Sequence, residues 1–280
     1  FRRSALVVKF PPSKTTPKQI LNGEHTGMKF KKFLNAAGVV LSFGMISTSV
    51  NAAPMIGIGS MYDVLTPDSH SLTKRIYNSG DSTAFVRVEL LEIHPGQKNT
   101  PNNETPVKEM SGNVLEKNRL VVTPLRMIIP PNGFQSARVM WPGVRDKERY
   151  FRVRFTPVMP QAEDGFGLDS KAAGQYREET LQAGVNILTG YGSVVIVQPE
   201  KPAFNTLIKQ SDSGGVSVVN KGNATVVLED IRQCKSANTD CGEVSREFIL
   251  PGRSYSVAGK NGFKTNFTLI EGNNKQAKSF

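Results

Sequence analysis

Between Tyr150 and Phe155 apolar and charged residues alternate strictly. Phe151, Val153 and Phe155 share one parity, and Arg152 and Arg154 the other. A two-residue period of this kind predicts a strand with one buried and one solvated face. The pattern recurs in short blocks along the chain. Leu72, Lys74 and Ile76 alternate with Thr73, Arg75 and Tyr77, and Phe85–Leu90, Arg119–Val122, Met127–Ile129 and Phe134–Trp141 follow. Each block is rich in Val, Ile, Phe or Tyr and is bounded by Pro, Gly, Asn or Asp. No long stretch holds a helical apolar period. Gly165–Glu179 reads as one helical turn or a flexible loop. Short strands at this spacing predict a sandwich.

Val185–Val197 is the most strongly strand-like segment. One parity presents Val185, Ile187, Thr189, Tyr191, Ser193, Val195 and Val197; the other presents Leu188, Gly190, Gly192, Val194 and Ile196. An internal sandwich strand accounts for its second half. A strand longer than its neighbours also projects past them and offers an edge to a partner. Pro199 stops the run, and Glu200-Lys201-Pro202 reads as a short, stiff hinge.

A second domain follows, with candidate strands Phe204–Leu207, Val216–Asn220, Thr225–Arg232, Glu247–Leu250, Tyr255–Val257 and Phe267–Ile270. Turns fall at Asn220-Lys221-Gly222-Asn223 and Pro251-Gly252. So small a domain benefits from a staple. Cys234 and Cys241 lie close together in it and read as one disulfide, expected to contribute about 2 kcal/mol at most, less any strain. A metal half-site is the other reading. No His lies nearby, and two thiolates rarely hold zinc alone.

Met28 opens a different pattern. Lys29, Lys31 and Lys32 precede the apolar run Phe33–Ile46, and small residues follow at Val50-Asn51-Ala52. This is the form of a secretory leader, with cleavage expected after Ala52. Gly38, Ser42 and Gly44 interrupt the run, which falls short of the ~20 apolar residues of a membrane span. Residues 1–27 read as a mis-called upstream region. The mature chain is then 228 of 280 residues, enough for one large domain or two small ones. Residues 1–52 hold eight Lys and Arg against one Glu, so they carry +7 of the net charge of +11. The remaining +4 is ordinary for a soluble surface, and no nucleic-acid partner is expected. A cleaved leader and two cysteines place the mature protein outside the reducing cytosol.

Enzyme chemistry finds little support. Only His70 and His94 follow the leader, and neither sits in a metal or nucleophile motif. No phosphate-binding loop or nucleophile elbow is present. Asp164 and Asp169 flank a glycine-rich turn rather than forming a dyad. Arg149-Tyr150-Phe151-Arg152 interleaves basic and aromatic residues, but a solvated strand face explains it on a charge-balanced surface. The residues alone predict a secreted, two-domain, all-β binding protein with no cofactor, no metal and no small-molecule substrate.

Several blocks carry a resemblance. They are Val121-Val122-Thr123-Pro124, Ile129-Pro130, Arg145-Asp146-Lys147-Glu148-Arg149-Tyr150-Phe151-Arg152, Ile196-Val197-Gln198-Pro199, Asn220-Lys221-Gly222-Asn223 and the late cysteine pair. In this order, behind a leader, they resemble the periplasmic pilus-assembly chaperones, and most closely those of the common-pilus operon of enterobacteria. The resemblance implies two immunoglobulin-like β-sandwiches set in an L or boomerang, residues 53–199 and 200–280. It implies a periplasmic chaperone that lends a strand to an incomplete pilus subunit until an outer-membrane usher takes it. Val185, Ile187, Thr189 and Tyr191 form the expected donor face. Better-known members grip the subunit's C-terminal carboxylate with an Arg in the first strand and a Lys in the last. Ile56–Leu65 and Tyr191–Val197 contain neither. The anchor then falls to Arg152, with Lys74, Arg75 and Arg154 as further candidates; a merely solvated Arg152 stays open. The other function considered is a pilus subunit or adhesin. That protein should be one sandwich with its own donor extension.

Overall fold

The computed structural model describes residues 53–96, 102–107, 119–182, 188–211, 214–235 and 239–280. The leader and upstream segment expected over 1–52 lie outside these residues. The first lobe comprises β1 (Ile56–Gly57), β2 (Tyr62–Leu65), β3 (Ser71–Asn78), β4 (Ala84–His94), β5 (Asn103–Pro106), β6 (Val121–Thr123), β7 (Arg126–Ile129), β8 (Phe134–Met140), β9 (Arg149–Val158) and β10 (Tyr191–Val197). One sheet runs β1-β3-β8-β6; the other runs β2-β10-β9-β4-β5, with β7 also on β4. Both sheets contribute to a single core that includes Ile76, Val139, Trp141, Phe151, Phe155 and Val195. The alternation read at Phe151, Val153 and Phe155 is the core face of β9; all three are fully buried.

The second lobe holds β11 (Thr206–Gln210), β12 (Val216–Asn220), β13 (Val226–Lys235), β14 (Thr239–Cys241), β15 (Ser245–Ile249), β16 (Ser254–Val257), β17 (Phe263–Glu271) and β18 (Asn274–Ser279). Its sheets run β11-β12-β16 and β14-β13-β17-β18, with β15 also on β13. Val216, Val218, Val226, Leu228, Phe267 and Leu269 fill a separate core. The described chain is thus all-β apart from one helix and one short 3-10 turn, with two β-sandwiches. Cys234 and Cys241 form a disulfide with S–S 2.05 Å and face one another across β13 and β14.

The two lobes turn the same corner in the same way. Asn78 ends β3 and donates from Nδ2 to the carbonyls of Ser82 and Ile129 at 2.8 and 3.1 Å. Asn220 ends β12 and donates to Ala224 and Ile249, both at 2.8 Å. Each Oδ1 accepts the amide of a glycine two residues on, Gly80 and Gly222. A Cβ on Gly80 would collide with the Ala53 carbonyl oxygen, and one on Gly222 with that of Ala203. Only glycine lets each lobe's leading segment press against its corner.

The expectation of one helical turn or a flexible loop over Gly165–Glu179 is corrected. A 13-residue helix, α1 (Ser170–Gln182), stands there. Asp169 caps it, accepting the Ala172 amide at 2.7 Å on its side chain. Ala172, Ala173, Arg177, Glu178 and Glu179 favour a helix. Its inward stripe is buried Ala173 and Thr180 with half-buried Tyr176, too thinly apolar to register as a hydrophobic period. Tyr176 and Phe166 both pack edge-on against Phe85, at 4.9 and 5.3 Å between ring centres.

Candidate functional site

β10 is covered unevenly. On one side it pairs with β9 along its whole length, from Tyr191↔Phe155 to Val197↔Arg149. On the other, parallel β2 pairs only from Val194↔Tyr62 to Val197↔Leu65, with the Val194 amide on Met61 O at 2.8 Å. Tyr191, Gly192 and Ser193 therefore have no strand on that side among the described residues. Ser193, Val195 and Val197 point into the core and are fully buried. Tyr191 is half-buried against the same core, and Thr189, one period earlier, is exposed. Val185 and Ile187 lie outside the described residues. The ladder starts at Tyr191, later than the strand read from Val185, and Gly190 just before it is poor strand material.

The basic candidates separate into three environments. Lys74 points inward from β3 and is buried; its Nζ donates to Ser60 O at 2.6 Å and to Asp63 Oδ2 at 2.7 Å. Arg75 points outward, its guanidinium 5.3 Å from the Phe134 ring centre. Arg152 and Arg154 share the outer face of β9 beside the open end of β10. Arg152 Nε donates to Glu104 Oε1 at 2.7 Å, and Arg154 Nη2 donates to Glu104 Oε2 at 3.1 Å. Both guanidiniums keep substantial exposure, 31% and 45% of the side chain. Thr156, Gly190, Tyr191 and Gly192 complete a shallow groove around this trio.

The same face of the sheet continues to the second lobe. Ile93, Tyr150 and Ile196 form a cluster against which Val194, Phe248 and Leu250 pack, and the Tyr62 and Phe248 rings stack at 3.9 Å. Arg152 pairs in register with Val194 and Tyr150 with Ile196, so the arginine stands one row on from Tyr150, at the margin of this contact. Beneath the cluster, Glu148 accepts the Thr225 amide at 2.8 Å, the Thr225 hydroxyl, and the Tyr150 hydroxyl at 2.5 Å. Burial raises the Glu148 carboxyl above its usual range, and the hydrogen bonds from Thr225 and Tyr150 only partly offset it. Burial, then the charge of Glu148, pushes the Tyr150 phenol up. Arg145 is also buried, donating to the carbonyls of Leu65, Gln198 and Ser69 at 3.0, 3.1 and 2.7 Å. The Glu200 amide returns to Arg145 O at 2.9 Å, so the hinge read at Glu200-Lys201-Pro202 is tied to the first lobe.

No group of three His, Cys, Asp or Glu that could hold a metal occurs among the described residues. No helix among them is long and apolar enough to cross a membrane. No protein-family model matches the chain. Among curated proteins it is 25% identical over 218 residues to the probable fimbrial chaperone EcpB of Escherichia coli O1:K1, covering 77% of this chain and 86% of that one. The chain resembles the fimbrial chaperones. It is also 25% identical over 200 residues to a protein of Escherichia coli named as a CFA/I fimbrial subunit, covering 70% of this chain and 77% of that one. Solved structures similar to it include the class 5 fimbriae chaperone CfaA, with TM-score 0.48, 20% identity, and coverage of 80% and 98% of the two chains. The E. coli chaperone DraB gives TM-score 0.48 and 15% identity, with coverage of 81% and 97%.

The block from Arg145 to Arg152 reads in the sequence as a unit. Glu148 and Arg145 are its buried members, and their value lies in partners distant in sequence. Glu104 carries no signal of its own in the sequence. It sits in the polar stretch Asn102–Thr105, which has no apolar period, and only the pairing of β5 with β4 brings it over the arginines.

Proposed function

We propose that this chain is a periplasmic chaperone for pilus subunits, which caps them by donor-strand complementation and delivers them to an outer-membrane usher. The observation that carries the reading is the half-covered strand β10. Its second half is locked between β9 and β2, while its leading residues keep one backbone edge without a partner strand among the described residues. An exposed edge of this kind is a ready template for another chain. An incomplete sandwich supplies the complementary need, since its groove and edge are otherwise open to aggregation. In this mechanism Val185, Ile187, Thr189 and Tyr191 enter the subunit's groove, spaced by the strand period. Arg152, with Arg154 beside it, takes the subunit's terminal carboxylate at the end of that strand. Lys74 is the weakest anchor candidate, because it is buried and already paired with Asp63. Arg75 lies on the outer face of the other sheet, away from β10.

No nucleotide or cofactor enters this mechanism; completing the subunit's fold supplies the free energy. One relative is itself named as a fimbrial subunit. Two sandwiches, joined through the buried carboxylate of Glu148 on Thr225, favour the chaperone reading over a single-sandwich pilin. Co-expression with the proteins of neighbouring genes tests it. A chaperone yields a soluble one-to-one complex with a pilin that aggregates alone. Self-assembly of this chain into fibres would instead identify it as a structural subunit.

A further inference from the structure

Arg152 is held on two sides. Glu104 takes its Nε from the β5 side of the sheet, at 2.7 Å. On the β10 side its stem lies across Gly192: a Cβ there would sit 3.3 Å from Arg152 Cδ and 3.4 Å from Cγ, with Nη1 at 3.7 Å. The arginine thus reaches over the backbone of β10 just where β2 stops covering it. Glu104 uses Nε, and among the described residues the terminal nitrogens of Arg152 have no acceptor, so they can take a second one. Two guanidiniums share one carboxylate here, which leaves a positive surplus. A guanidinium bound in this way presents a further N–H pair suited to a carboxylate.

We propose that Glu104 and Gly192 are positioning residues for carboxylate recognition. Glu104 pulls the base of the Arg152 guanidinium toward β5, and Gly192 leaves room for the stem to lie flat. Together they aim the outer N–H edge at the open edge of β10, ready for the terminal carboxylate of a strand that docks there. Gly192 thereby serves recognition at a site where a side chain would favour the strand itself. This inference rests on the docking role proposed above for Arg152.

The test uses the full chain and a peptide matching the C-terminal strand of a co-purified pilus subunit, made both as free acid and as C-terminal amide. The readout is the ratio of the two dissociation constants. The wild-type chain should prefer the acid by about tenfold, the worth of one charge-assisted hydrogen bond. Glu104→Ala and Gly192→Val should each bring the ratio close to one, with circular dichroism unchanged. Glu104→Gln, which keeps an acceptor for Nε, should retain most of the preference. Glu104→Ala should add nothing in an Arg152→Ala background. If Arg152→Ala abolishes the preference while Glu104→Ala and Gly192→Val leave it intact, the positioning role is wrong and the anchor stands. A preference that grows in Glu104→Ala would make Glu104 a competitor for the site, and also overturns the proposal. A wild-type ratio of one overturns the anchor itself, and this inference with it.

Discussion

Glu148 on the segment leading into β9 accepts both the backbone amide and the side-chain hydroxyl of Thr225, and so joins the first sandwich to the second through one buried carboxylate. Arg145 lies near it in sequence but is bonded to backbone carbonyls, leaving the carboxylate to neutral donors. Neutral donors only partly offset the burial of a charge, which is why its protonation is eased.

The folded state holds the Glu148 proton more tightly than the unfolded state, whose carboxyl titrates near 4.5. As pH rises through the window just above 4.5, the folded state loses that advantage, so this group's contribution to stability falls. Glu148→Gln should flatten that part of the stability–pH curve in denaturant titrations. Glu148→Ala should cost about 1–3 kcal/mol at neutral pH by stranding buried donors. An unchanged pH profile in Glu148→Gln would remove Glu148 as its source.

The paired corners make a second expectation. Gly80→Ala and Gly222→Ala each force a Cβ against a backbone carbonyl, closer than 3.0 Å in both lobes. Both should lower the unfolding midpoint, by an amount on the order of 1–3 kcal/mol. A midpoint shift for Gly222→Ala and none for Gly80→Ala would show that Ala53 and its neighbours do not hold the first corner.

That corner also marks how far the sequence alone reaches. Asn220-Lys221-Gly222 is recognisable as a turn, but its equivalence to Asn78-Ser79-Gly80 is not, because three residues are too few to establish a repeat. The strands of the two cores are legible since burial on one face imposes a two-residue period, as at Phe151, Val153 and Phe155. Helix α1 is not, because it buries Ala, Tyr and Thr rather than an aliphatic stripe. Short β5 and β14 escape for a related reason, since a few residues at a sheet edge need bury little, and β18 escapes because Asn274–Ser279 is polar apart from Ala277. Arg152 is legible as a candidate from its block, but Glu104 is not, since ion pairing across β4 depends on register.

Helix α1 precedes the segment proposed above as the donor and is fixed by Tyr176, whose ring meets Phe85 and whose hydroxyl donates to Thr83 O. Tyr176→Ala should cost about 1–3 kcal/mol of stability. Tyr176→Phe, which keeps the ring contact, should cost less. Equal losses would assign the docking to the hydroxyl rather than the ring.

The Cys234–Cys241 disulfide spans a sequence separation of 7. Replacing both cysteines with Ala should lower stability by about 2 kcal/mol. Subunit capture should survive, since β10 belongs to the other sandwich. Loss of capture in a folded double variant would mean that the second lobe's β13–β14 region contacts the subunit.

The most direct measurement of strand donation is the yield of chaperone–subunit complex from periplasmic extracts of cells expressing Ile187→Asp or Thr189→Asp. Thr189 is exposed, so Thr189→Asp should leave the free chain folded; circular dichroism of the free Ile187→Asp chain is the control for the other variant. A carboxylate pressed into an apolar groove without a partner costs several kcal/mol or must take up a proton. Donor-strand capture predicts a chain that is secreted and folded by circular dichroism, with subunits lost to aggregation or degradation. Full recovery of the complex with both folded variants would contradict it.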